Sequence, residues 1–181
     1  MPTLRIAAET VRFLPATRVT DSTGVLTLKN LVLEPLLRWE AGGRMRPGLF
    51  ARWAHDGTGR RWVFDIRDGA TFHDGVPCTS GHVLDFVTGI LRSVDMFGMP
   101  WSYARYLRDA RIAADGPGRV VVENPTPFAD VLDVFTEFFP CREDSAGRPW
   151  LGTGPYRVAE AENERAAVLQ RVRGMGRPGS R

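Results

Sequence analysis

Arg61-Trp62-Val63-Phe64-Asp65-Ile66-Arg67-Asp68-Gly69-Ala70-Thr71-Phe72-His73-Asp74-Gly75-Val76-Pro77 is the stretch whose reading decides the fold. Trp62, Phe64 and Ile66 alternate with Val63, Asp65 and Arg67, the period-2 pattern of a half-buried strand. Asp68-Gly69 and Asp74-Gly75 supply the positive-φ positions that reverse a chain, so a strand, a turn, a second short strand and a second turn are expected. Pro77 delays helix until a cap at Thr79 or Ser80. From there Val83, Leu84, Phe86, Val87, Ile90 and Leu91 make one apolar face, which predicts a helix over Thr79 to Ser93.

Outward from this stretch, Leu4 to Ala8 reads as a strand, Val11 to Ser22 as a loop, and Gly24 to Leu33 as a helix that Pro35 prevents from continuing. Leu36 to Glu40 begins a crossing, with a turn at Ala41-Gly42-Gly43. Met96 to Asp109 is rich in aromatics and broken at Met99-Pro100. Arg111 to Ala114 and Arg119 to Glu123 form a strand pair about Asp115-Gly116-Pro117-Gly118. Phe128, Val131, Leu132 and Phe135 predict a second amphipathic helix over Pro127 to Phe139, closed by Pro140, after which Cys141 to Pro149 is a polar loop. Interspersed strands and helices indicate an α+β fold.

The 181 residues, 43% apolar and 25% charged, place the chain among globular proteins able to bury a core. No apolar run approaches the ~20 residues of a membrane span, so no membrane insertion is expected. The net charge of +3 is carried almost wholly by arginine, Lys29 being the only lysine, and the arginines alternate with acids as on a solvated surface. The tail from Val172 to Arg181 is basic but lacks an aromatic for base stacking. It reads as a disordered end, and no nucleic-acid partner is expected. Cys78 and Cys141 have neither C-x-x-C nor Cys/His spacing, and whether they pair is open, with free thiols preferred.

The 61–77 stretch closely resembles the signature region of the family 5 extracellular solute-binding proteins, the peptide- and nickel-binding receptors of ABC importers. Leu33-Glu34-Pro35-Leu36-Leu37-Arg38-Trp39 looks like that family's helix end and first lobe crossing. Met45-Arg46-Pro47-Gly48-Leu49-Phe50-Ala51-Arg52-Trp53 looks like its next segment, and Gly152-Thr153-Gly154-Pro155-Tyr156-Arg157-Val158 matches its Gly-Thr-Gly-Pro-Tyr strand start, all in the family's order.

The resemblance implies a periplasmic-binding-protein-like, type II, two-lobed receptor that closes over a small-molecule or peptide ligand, performs no chemistry and docks on ABC permease subunits. It covers Leu4 to about Arg171, the N-terminal portion of such receptors. Residues 1–171 are therefore expected to form a partial N-terminal lobe, with 1–40 and 150–171 as its main segments, 41–149 as an inserted subdomain and 172–181 as the tail. On this reading the fold is truncated, an unpaired sheet edge invites self-association, and tight solute binding by this chain alone is not expected. The implied location is periplasmic or extracellular. The chain as given shows no export signal, which leaves a cytoplasmic location open.

For ligand contacts the resemblance points to the loop after the first strand, here Thr20-Asp21-Ser22-Thr23, and to an aromatic beyond the signature helix, here Trp101; Arg142 is added for its planar fork. Each has a plainer alternative: Asp21 or Ser22 as the N-cap of the following helix, Trp101 as core, Arg142 as surface. No catalytic residue, metal ligand or cofactor is expected. Asp74-Gly75 is accounted for as a turn, and His73 beside it is not expected to act as a base; His55 and His82 lack ligand partners at helical spacing, and Pro155 removes a donor that a phosphate cradle needs. The other function kept open is the ligand-sensing domain of an intracellular transcription regulator, against which stands the lack of a helix-turn-helix before Leu4.

Overall fold

The computed structural model describes residues 10–15, 22–94, 98–102, 104–162 and 165–172. Along the chain lie α1 (Thr23–Val32), β1 (Leu37–Glu40), β2 (Arg44–Pro47), β3 (Phe50–His55), β4 (Arg61–Ile66), α2 (Ser80–Arg92) and α3 (Ala104–Leu107). They are followed by β5 (Arg111–Ala114), β6 (Arg119–Glu123), α4 (Val131–Thr136), β7 (Tyr156–Glu162) and β8 (Ala166–Arg171). The fold is α+β, as the interspersed patterns predict. Strands β3, β4, β6 and β5, in that order, make a four-stranded antiparallel sheet, and β1-β2 and β7-β8 are two-stranded ribbons.

Strand β4 shows the expected alternation, with Trp62, Phe64 and Ile66 buried and Val63 and Asp65 only half-buried. The inward residues meet α2, whose buried face is Val83, Phe86, Val87 and Ile90, and α4, which contributes Val131, Val134 and Phe135. Phenylalanines fill the space between. Phe64 lies 4.9 Å from both Phe50 and Phe135, ring centroid to ring centroid, and Phe138 bridges Phe135 at 5.7 Å to Phe86 at 6.2 Å. Each fully buried phenylalanine contributes about 1.5–3 kcal/mol by removing its ring from water. A second, smaller cluster gathers Val32, Leu33 and Phe139 with Phe13, Trp150, Val158 and Leu169 against it.

The start of α2 is held by the β5–β6 turn. Ser80 gives its amide to the Pro117 carbonyl (2.8 Å) and its hydroxyl to that of Gly116 (2.7 Å), while Thr79 in extended conformation donates its amide to His82 Nδ1 at 3.2 Å. Three expectations need adjustment or fall outside the described residues. The helix expected over 127–139 spans only Val131–Thr136, because the backbone at both ends is engaged elsewhere. The Phe128 amide bonds the Gly59 carbonyl at 2.9 Å, and the Phe138 carbonyl accepts from Leu36 at 2.8 Å. The second short strand of the signature is reduced to a single bridge, Thr71 to Pro77. The strand expected at Leu4 to Ala8 lies outside the described residues.

Candidate functional site

The signature turn supplies the first side chains of the site. Gly69 and Gly75 take φ of 67° and 86°, the left-handed values their turns require, and the second turn is closed by Gly75 N–H to Phe72 O (2.9 Å) and Val76 N–H to Asp74 Oδ1 (3.1 Å). This places His73 and Asp74 at the tip with their side chains committed to different partners. The His73 amide bonds Gly152 O at 3.0 Å, and its ring spans the same segment. Nδ1 accepts the Gly152 N–H at 3.3 Å, and Nε2 bonds the Gly154 carbonyl at 3.0 Å. A carbonyl only accepts and an amide N–H only donates, so the proton sits on Nε2 and the ring is neutral. Burial pushes the His73 pKa below its ordinary value, against the opposing pull of its backbone partners at Gly154 and Trp150.

The segment that His73 grips is pressed onto the end of α1. A Cβ at either Gly152 or Gly154 would stand 2.5 Å from the Val32 carbonyl oxygen, so both positions must be glycine for the backbone to approach this closely. Between them Thr153 is buried and donates its hydroxyl to Glu34 Oε2 at 3.1 Å. Glu34, only 4% exposed, also accepts Arg67 Nη1 at 2.8 Å and lies 3.5 Å from Arg38 Nη2. A carboxylate so far from water needs such partners, and the two arginines and the hydroxyl provide them. Leu33 to Trp39, the signature, and the Gly-Thr-Gly-Pro-Tyr segment therefore meet at one buried polar junction.

Arg142 extends this junction toward solvent. Its Nη1 bonds Asp74 Oδ2 at 2.8 Å, its guanidinium sits 5.4 Å from the centre of the Phe72 ring, and its backbone exchanges both hydrogen bonds with Leu151 (2.9 and 3.1 Å). It lines a groove of about 460 Å³ together with His82, Asp85 and Phe86 of α2 and its chain neighbours Cys141 and Glu143. The other candidate contacts lie on separate elements. Ser22 occupies the N-cap position of α1, its carbonyl accepting the Leu26 amide at 2.9 Å, and Thr23 is the exposed first residue of that helix. Thr20 and Asp21 lie outside the described residues. Trp101 is half-buried and stacks at 5.1 Å on Phe138, so one side of its ring belongs to the main core.

Sequence reasoning missed the junction itself. Glu34, Arg67, His73 and Thr153 were all inside recognised motifs, but a contact between residues 119 positions apart leaves no local period to read. Among the described residues no group of three or more His, Cys, Asp or Glu side chains is placed to hold a metal ion, and no helix is long and apolar enough to cross a membrane. Cys78 and Cys141 do not form a disulfide with each other. The Cys78 thiol is pushed up to about 12, first by burial and then by the Glu34 charge, and is unreactive in that state.

Comparison with known proteins places this geometry. The profile of the bacterial extracellular solute-binding proteins, family 5 Middle, matches residues 44–177. A nickel-binding periplasmic protein of Escherichia coli K12 is 37% identical over 49 residues, 27% of this chain and 9% of its own length. Among solved structures, AgaA of A. tumefaciens R10 in complex with agropinic acid superposes with a TM-score of 0.74 at 22% identity, covering 91% of this chain and 34% of that one. OppA of Haemophilus influenzae in complex with the peptide RPPGFSPFR gives 0.70 at 17% identity, covering 88% and 36%. The chain thus spans about a third of the length of these structures.

Proposed function

The chain belongs to the bacterial extracellular solute-binding proteins of family 5, and from that premise we propose that it forms one wall of a receptor that captures peptides, nickel complexes or polar organic solutes for an ABC importer. The observation that carries this reading is the junction of Glu34, Arg67, His73 and Thr153, which ties Glu34, ahead of the 44–177 match, to three residues inside it, in a chain that shares the backbone path of the solved relatives. What those relatives are described with, nickel, agropinic acid and a peptide, sets the range of solutes.

In this proposal Thr20, Asp21, Ser22, Thr23, Trp101 and Arg142 contact the solute. Arg142 commits Nη1 to Asp74, and a guanidinium has further donors to offer a carboxylate or carbonyl. Residues 1–40 with 150–171 act as the main lobe segments and 41–149 as the inserted unit, with Leu36 and Leu37 packed into the larger hydrophobic cluster and Phe139 into the smaller one, across those bounds. The protein works outside the cytoplasmic membrane, docks on permease subunits, and self-associates through an open edge of the four-stranded sheet.

The test is equilibrium dialysis against a panel of peptides, nickel-histidine and opines, with mass spectrometry of the recovered solutes. Weak, saturable retention of at least one class at millimolar solute, chemically unchanged, supports the proposal. Conversion of a solute, or retention of none even at millimolar solute, overturns it.

A further inference from the structure

We propose that His73 is a proton-operated latch: neutral, its ring ties the 70–77 turn to the Gly152–Gly154 backbone and so fixes the Arg142 wall of the groove, and on taking a proton it releases that segment. The latch is a property of the fold and does not depend on which solute the groove holds.

The paired hydrogen bonds select the neutral ring with its proton on Nε2, against the pull of the Gly154 and Trp150 backbone groups toward a second proton. With Nε2–H spent on the Gly154 carbonyl at 3.0 Å, Nδ1 must present a lone pair to the Gly152 N–H at 3.3 Å. A proton on Nδ1 sets two donors face to face, and the Gly152 amide loses its partner in a place where burial keeps water away. The consequence travels along bonded neighbours. Leu151, next to Gly152, holds both backbone groups of Arg142, and Asp74, next to His73, holds its guanidinium, so one grip on Arg142 is adjacent to the titrating residue and the other adjacent to its hydrogen-bond partner.

The charged groups around the ring come from several elements. Asp74 on the same turn favours the proton, but its charge is shared with Arg142 from the loop after α4. Arg157 on β7 opposes the proton. Glu34 is engaged by Arg67 and Thr153 behind the glycine segment, and His82 on α2 touches Phe72, its ring centroid 5.2 Å away, instead of His73. Burial is the largest influence on His73 and keeps it neutral at pH 7.

The experiment is a pH titration of the isotopically labelled protein by NMR, with His73→Gln as the non-titrating variant. At neutral pH the ring is expected as the Nε2–H tautomer. On acidification the ring, the Gly152 amide, and the Leu151 and Arg142 amides are expected to shift with one common midpoint below the ordinary 6.5. Exchange of the Gly152 amide, corrected for its intrinsic rate, is expected to accelerate about tenfold while that of Val122 in the sheet is unchanged. His73→Gln removes the midpoint. The latch is overturned if the ring takes its proton with Leu151, Gly152 and Arg142 unmoved, if Gly152 and Val122 accelerate together, or if the variant keeps the midpoint. Should the variant fail to fold, the tautomer and the shared midpoint in the parent protein decide alone.

Discussion

Glu34 and Thr153 stand 119 positions apart in sequence and share a buried hydrogen bond, Thr153 Oγ1 to Glu34 Oε2 at 3.1 Å. With Arg67 on the other carboxylate oxygen, this bond makes three separate motifs parts of one junction. The motifs by which the sequence resembles the family are, in this chain, fastened to one another here.

Glu34→Ala leaves Arg67 and Arg38 partly buried without their counter-charge. The expected loss is about 3 kcal/mol of unfolding free energy, read from urea denaturation, whereas Thr153→Val costs about 2 kcal/mol because one hydrogen bond to the buried carboxylate is lost while its ion pair stays. A change under about 0.5 kcal/mol for Glu34→Ala contradicts the junction as a stabilising element.

Gly154→Ala drives a methyl group to 2.5 Å from the Val32 carbonyl, against backbone that cannot swing aside. The expected cost is about 2 kcal/mol, seen as a lower melting temperature. Gly118→Ala is the control, since a Cβ there meets nothing within 4 Å, and it is expected to stay within about 0.5 kcal/mol.

The pH dependence of stability has a definite sign. His73 is held below its ordinary pKa of 6.5 by burial, so the unfolded chain takes the proton first as pH falls. Its contribution is fully present above 6.5 and is lost as pH falls toward the depressed folded value. Urea midpoints measured across that window are expected to fall in the parent protein and to flatten in His73→Gln. A parent midpoint that stays constant or rises there contradicts the burial of a neutral ring.

The two thiols separate by reactivity. Cys141 is half-buried and lines the groove, whereas Cys78 is buried with its thiol pushed up to about 12. A thiol reagent at neutral pH is expected to label Cys141 in the folded protein and Cys78 only after unfolding. Equal rates in the folded state contradict the placement of Cys78 beside Glu34.

Much of the fold was legible because its signals are local. The alternation of Trp62, Phe64 and Ile66, the Asp-Gly turns, and the apolar face of α2 each declare themselves within a dozen residues, and the structure places each as read. The helix around Val131 was read too long because Phe128 and Phe138 keep helical spacing while their backbone groups bond Gly59 and Leu36. The turn at Asp74-Gly75 is legible, but no sequence pattern announces that the ring of His73 closes on glycines 79 and 81 positions away. Among the candidate contacts, nothing in the sequence shows that the Trp101 ring lies 5.1 Å from that of Phe138, with the planes tilted at 36°.

The measurement that tests the receptor reading most directly is chemical-shift mapping of the labelled chain during titration with nickel-histidine, an opine and a peptide in turn. The account predicts saturable shifts, from at least one of the three, concentrated at Ser22, Thr23, Trp101 and Arg142 while the solute's own spectrum stays that of the unaltered compound. Shifts confined to other surfaces, or a solute spectrum that changes into that of a new compound, contradict it.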